Sequence, residues 1–240
     1  MKPERVALIT GAGTGIGRGI AGAFSGQGFR TALVGRTRKT LEETAKLCEG
    51  PTAIFDASVN DRERLAEVIS RTHEQLGPID ILVNNAGMNT RQRNLIDMPS
   101  DQWDQVIDVN LTGAYNCFKA ILPGFLEAND GLVINISSMA GKSAGTVGGV
   151  AYSASKFGLG SLTQSINAEF REEGIRATCI YPGEVDTPIL DQRPVPVSDD
   201  KRAAALQPED IAAAATMVAN LPNRAVVEEI TIFPRHRVSQ

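Results

Sequence analysis

The chain has 240 residues, 42% hydrophobic and 22% charged, with a formal net charge of -4. That composition suits one ordinary globular domain with a full core, and offers no basic surface for a nucleic-acid backbone. Three scattered cysteines (Cys48, Cys117, Cys179) and two isolated histidines (His73, His236) exclude a disulfide framework, a zinc cluster and, unless one of these two is the base, a histidine-centred triad.

Strand-like sequence begins at Arg5, leaving no room for a signal peptide, and no run of about 18 apolar residues follows. A cytoplasmic protein without a membrane partner is expected. Val/Ile-rich runs alternate with segments of helical period: Arg5 to Thr10 and Ile16 to Gln27, Thr31 to Gly35 and Thr37 to Cys48, Thr52 to Asp56 and Asp61 to Leu76. The second half adds a strand at Ile79 to Asn84, a helix around Asp101 to Leu126, and a strand at Leu132 to Ser137. A helix from about Ala151 to Glu173, a strand at Arg176 to Tyr181, a short helix at Pro208 to Leu221 and a strand at Val226 to Phe233 complete it. Seven strands separated by helices predict a single-domain α/β fold, doubly wound around a parallel sheet with helices on both faces. Loops at about 87–100, 138–151 and 183–207 follow strands four to six, at the carboxyl ends where such sheets bind ligands.

The first strand runs into Thr10-Gly11-Ala12-Gly13-Thr14-Gly15-Ile16-Gly17 and then a helix. Glycines let a backbone turn sharply and approach a pyrophosphate, whose charge the next helix's free N–H groups stabilise. Strand two ends in Gly35-Arg36-Thr37-Arg38. An acidic residue there would bind a ribose 2′-hydroxyl, whereas Arg36 and Arg38 accommodate a 2′-phosphate, so NADP(H) is preferred, with NAD(H) as the alternative. Tyr152 and Lys156, four residues apart, share one helix face. A nearby ammonium favours a phenolate, and the pair reads as acid/base machinery.

With these motifs in order, the chain resembles the short-chain dehydrogenases/reductases along its length, from Val6 to Phe233. Thr10-Gly11-x-x-x-Gly15-Ile16-Gly17 resembles the cofactor turn, Asn84-Asn85-Ala86-Gly87 the strand-four motif and Asp108-Val109-Asn110 the central-helix signature. Ile136-Ser137-Ser138 is similar to the catalytic-serine strand end, Tyr152-x-x-x-Lys156 to the catalytic helix, and Tyr181-Pro182-Gly183 with Val185 and Thr187 to the nicotinamide-side loop. The resemblance implies an oxidoreductase acting on a small alcohol or carbonyl substrate, of the ketone reductase, hydroxy acid dehydrogenase or 3-oxoacyl reductase type. Tyr152 would be the proton donor, Ser138 the substrate-oxygen partner, Lys156 the modulator of Tyr152 and ligand of the nicotinamide ribose, and Asn110 the link to a water relay. Asp56 would contact adenine, Asn84 and Gly87 would lie beside the adenine ribose, and Thr187 would bind the carboxamide. A homo-oligomer, tetramer or dimer, is also implied, with Trp103, Phe118 and Phe157 as interface candidates.

Thr14 stands where many NADP-preferring relatives carry a basic residue, and thirteen residues separate Ser138 from Tyr152, one more than the commonest spacing. The segment from Thr187 to Gln207 is short for a substrate lid, and its prolines disfavour one long helix, predicting an open pocket for several small substrates. Arg91, Arg93, Lys142 and Arg193 in these loops raise an acidic substrate as an option. The competing class is a catalytically silent, nucleotide-responsive binding or regulatory protein of the same fold, which retention of Tyr152 and Lys156 disfavours.

Overall fold

The computed structural model describes residues 5–235; His236 therefore lies outside the described residues. Strands β1 (Val6–Thr10), β2 (Arg30–Gly35), β3 (Thr52–Asp56), β4 (Ile79–Asn84), β5 (Gly131–Ile136), β6 (Ile175–Pro182) and β7 (Glu229–Ile232) form one sheet in the order β3-β2-β1-β4-β5-β6-β7. Every pairing is parallel. Alternate β1 residues point to opposite faces. Val6 and Leu8 join a core with Phe55, Leu65, Val68 and Phe125, whereas Ala7 and Ile9 join a second core with Ile20, Phe24, Leu41 and Ile211. Helices cover both faces, which is why the strands read as continuous apolar runs rather than alternating ones.

The helices are α1 (Gly15–Gly26), α2 (Arg38–Ala45), α3 (Arg62–Leu76), α4 (Ser100–Ile107), α5 (Gly113–Ala128), α6 (Val150–Phe170), α7 (Asp199–Ala204) and α8 (Pro208–Asn220). Their starts carry legible chemistry. Asp61 caps α3 by accepting from Arg64 N, and Gln207 with Asp210 forms a capping box at α8, with Pro208 in its first turn.

Three features depart from the pattern-based expectation. The helix expected around Asp101 to Leu126 is divided by a wide π turn at Asp108–Thr112, a feature that recurs at functional sites. The final strand is shorter than Val226 to Phe233: Glu228 O still accepts from Cys179 N at 2.9 Å, but farther back side chains replace the main-chain partners, Thr178 Oγ1 donating to Val227 O at 2.6 Å and Arg176 to Ala225 O at 3.3 Å. Finally, the lid contains a 3-10 turn at Pro188–Gln192 and the six-residue α7, with Pro194 and Pro196 between them.

Strand order reverses direction between β1 and β4, opening a crevice at their carboxyl ends. The three ligand loops predicted from the sequence converge on that end of the sheet.

Candidate active site

The glycine turn is locked to the end of β4. Thr10 Oγ1 accepts from Asn85 N and Ala86 N, both at 3.0 Å, and Asn85 Nδ2 donates to Thr10 O at 3.0 Å and Gly11 O at 3.2 Å. Gly11 and Gly15 take φ values of 63° and 52°, which glycine adopts without strain. A β-carbon on Gly17 would lie 2.4 Å from the Gly11 carbonyl oxygen, so that position admits nothing larger. Helix α1 begins with no acidic residue in its first turn and no side-chain cap from Thr14, leaving its N–H groups and dipole for an external anion.

From this turn a cleft of 1380 Å³ runs to Ser138, Tyr152 and Lys156, and is closed on one side by the lid. Its size and glycine cradle fit a dinucleotide with room for a small substrate. Gly11, Thr14, Gly15 and Ile16 line the cleft together with Ser138, Tyr152, Lys156, Pro182, Gly183, Val185 and Thr187. Thr187 reaches the glycine turn, since a β-carbon on Gly15 would meet its methyl at 3.0 Å.

Strand two's cations divide. Arg36 is exposed and lines the cleft. Arg38 is occupied: it donates to Glu42 at 3.0 Å and Asp56 at 3.2 Å. The Asp56 carboxylate, expected beside adenine, is thus directed at Arg38, and main-chain and Arg38 contacts hold its pKa below the usual value; Ala57 and Ser58 form the cleft wall there. Asn84 also differs from expectation. It is buried between strands, donating to Asn135 Oδ1 at 2.9 Å and Ala114 O at 3.3 Å, with Asn135 linked onward to Thr163. Its neighbour Asn85 lines the cleft instead.

Near Ser138 and Tyr152, Lys156 Nζ donates to Ile136 O at 2.8 Å and lies 5.5 Å from the centre of the Tyr152 ring. Burial lowers its pKa to about 8, a change that Cys179 opposes. Tyr152 corrects the simple ammonium argument. Burial raises its phenol above the ordinary value, and the groups opposing that rise are the Ser138 hydroxyl and the Arg93 guanidinium. Ser138 Oγ also accepts from Ala140 N at 3.2 Å, fixing the hydroxyl in the cleft. Asn110, in the π turn, clamps Met88 through both ends of its carboxamide, at 2.8 and 3.0 Å, and reaches Ser155 Oγ at 3.1 Å. Gly87 stands beside both Asn110 and Lys156: a β-carbon there would come 3.5 Å from Asn110 Oδ1 and 3.6 Å from Lys156 Nζ.

Of the loop cations, Lys142 pairs with Glu229, and Arg193 pairs with Glu184 at 3.0 Å. Arg91 is exposed, while Arg93 is buried. Residues that sequence reasoning missed are Asn85, Asn89 and Gln192. Asn89 Nδ2 donates to Gly148 O at 2.9 Å and its main-chain N–H to Gln192 Oε1 at 3.2 Å, stitching the loops together. Such bonds join residues far apart in sequence and leave no local signature. Among the described residues no helix is long and apolar enough to cross a membrane, and no cluster of His, Cys, Asp or Glu could hold a metal.

Residues 5–195 match the family model for short chain dehydrogenase. An uncharacterized oxidoreductase of Staphylococcus saprophyticus subsp. saprophyticus is 36% identical over 235 residues, covering 96% of this chain and 97% of that protein. The structure of a metagenomic short-chain oxidoreductase in complex with NADP superposes with a TM-score of 0.83 at 30% identity, covering 97% of this chain and 98% of the other. The closed form of a serine dehydrogenase complexed with NADP+ gives a TM-score of 0.85 at 29% identity, covering 98% of each chain.

Proposed function

Because the chain belongs to the short-chain dehydrogenase/reductase family of oxidoreductases, we propose that it transfers a hydride between NADP(H) and a small alcohol or carbonyl compound. The observation that carries this reading is the convergence of Ser138, Tyr152 and Lys156 on the far end of the cleft that begins at the glycine turn.

Gly11, Thr14, Gly15, Ile16 and the start of α1 would hold the pyrophosphate, Arg36 the 2′-phosphate, and Val185 and Thr187 the nicotinamide end. When bound, the dinucleotide supplies the hydride. In the reductive direction Tyr152 gives its phenolic proton to the substrate oxygen as negative charge develops there, and in the oxidative direction it takes that proton back. Ser138 donates to the same oxygen and fixes its position. Lys156 returns a proton toward the phenol, and Asn110, on the other side of Gly87, would link it to water.

The NADP preference rests on Arg36, since Arg38 is tied to Glu42 and Asp56. Consumption of NADPH and NADH should be followed separately against ketones, diones, 3-oxo acids and acyl thioesters, in wild type and in Arg36→Ser. Wild type is expected to favour NADPH, and Arg36→Ser to raise the KM for NADPH by roughly tenfold or more, as loss of a charge-assisted phosphate contact requires, with the KM for NADH nearly unchanged. An equal effect on both cofactors would remove Arg36 from the phosphate site. Tight dinucleotide binding without turnover on any substrate would favour the regulatory reading.

Self-association through α5 and α6 belongs to the same proposal. Phe157 is 46% exposed and Tyr115 45%, large apolar area for two neighbouring helices, whereas Phe118 is core, packed against Phe170. Sedimentation should give a dimer or tetramer for wild type and a smaller species for Phe157→Glu. A monomeric wild type would refute this element.

A further inference from the structure

We propose that Arg93 is a positioning residue for Tyr152: it clamps the three loops around the phenol and holds toward it a positive charge that no carboxylate neutralises. The proposal rests on Tyr152 being the proton donor.

Arg93 is 4% exposed and lines the cleft. Its Nε donates to Thr90 O at 2.8 Å, one terminal nitrogen to Val147 O at 2.7 Å and the other to Gln192 O at 2.7 Å. Each acceptor belongs to a different loop, following β4, β5 and β6 respectively. A planar fork with fixed donor directions can hold three separate carbonyls, which a point-charge ammonium cannot do with the same geometry. The main chain extends the clamp. Val150 N at the start of α6 donates to Arg93 O at 3.0 Å, two residues before Tyr152. The approach is close enough that a β-carbon on Gly149, which has φ 80°, would lie 2.4 Å from Arg93 Cβ. Displacing Arg93 therefore displaces the first turn of the helix that presents the phenol.

The missing counter-ion is informative. Arg176, which is 5% exposed, has Asp130 at 3.8 Å, whereas Arg93 forms no ion pair among the described residues. Three carbonyls accept from the guanidinium but leave its net charge, and a buried net charge is costly to keep. Among the described residues, Lys156 is the other buried cation on the cleft without a carboxylate. Ser138 from the loop after β5, Lys156 on α6 and Arg93 from the loop after β4 line the same cleft as the phenol, and Cys179 of β6 acts on Lys156. Arg193 lies beyond Arg93, neutralised by Glu184. For an acid, a nearby cation favours the ionised form, so Arg93 opposes the upward effect of burial on the phenol.

The test titrates tyrosinate absorbance in NADP+-saturated protein, with the matching Tyr152→Phe curve subtracted in each background. It needs no substrate, so it stands apart from the search for turnover; failure to bind NADP+ would count against the functional reading, and the titration would then be run on the free protein. Arg93→Gln is expected to move the Tyr152 midpoint upward by roughly one pH unit. Arg93→Lys, which keeps the charge and loses the fork, should retain the wild-type midpoint but melt at a lower temperature. A folded Gln variant that titrates like wild type overturns the proposal. If the Gln variant does not fold, the Lys variant decides: a lower melting temperature with an unmoved midpoint supports the proposal, and a wild-type melting temperature or a raised midpoint overturns it.

Discussion

Tyr152→Phe should lower kcat by about 10²- to 10⁴-fold while leaving NADPH affinity within about twofold, a difference of roughly 0.4 kcal/mol. The substitution removes one oxygen and leaves the ring against the Lys156 ammonium, 5.5 Å from its centre. Only the proton transferred to the substrate oxygen is lost. Ser138 still donates to that oxygen, which sets a residual rate above that of water. Measuring NADPH fluorescence on binding together with single-turnover oxidation separates the two quantities. If kcat stays within tenfold of wild type, Tyr152 is not the proton donor.

Lys156→Met should abolish useful turnover, by at least about 100-fold, and raise the melting temperature of the cofactor-free protein at pH 7. Lys156 is 4% exposed and its pKa is lowered to about 8 by burial, against about 10.4 for a free side chain. The unfolded chain therefore binds this proton more readily than the native one. The resulting penalty is fully present below pH 8 and disappears as pH rises through about 10.4, so stability should climb across that window. Its size is on the order of 3 kcal/mol, reduced by about 1 kcal/mol for the lost bond to Ile136 O. A net 2 kcal/mol corresponds to roughly 5 °C in a chain of this length. Calorimetry at pH 7 and pH 10 checks both statements: wild type should gain stability relative to the Met variant at the higher pH. A Met variant that melts below wild type at pH 7 would show that the buried ammonium is not a source of instability.

The sheet and the residues gathered at the candidate site were readable because their signals are local. Val/Ile runs, a glycine turn between strand and helix, and Tyr152 four residues before Lys156 are patterns within one or two elements. Alternation carried one residue past β4 separates Asn84, buried between strands, from Asn85, which lines the cleft. Arg38 was spoken for by Glu42 four residues on, a pairing visible in the sequence. The N-cap at Ser198, which accepts from Lys201 N, announces α7, yet six residues are too few for a periodic stretch. Arg93 could not have been assigned a role, because its three acceptors are main-chain carbonyls, the farthest 99 residues away.

The two ends of the sheet bear on how the protein avoids joining others strand to strand. An outermost strand offers unpaired main-chain groups to any extended chain that meets it. β7 is only four residues long, opens on Glu229 and is followed by Pro234; β3 has five residues, with Pro51 before it and Asp56 at its end. Carboxylates and prolines at these borders confine any intruding strand to a few hydrogen bonds, so a sheet whose middle is almost wholly apolar is kept from growing into an aggregate.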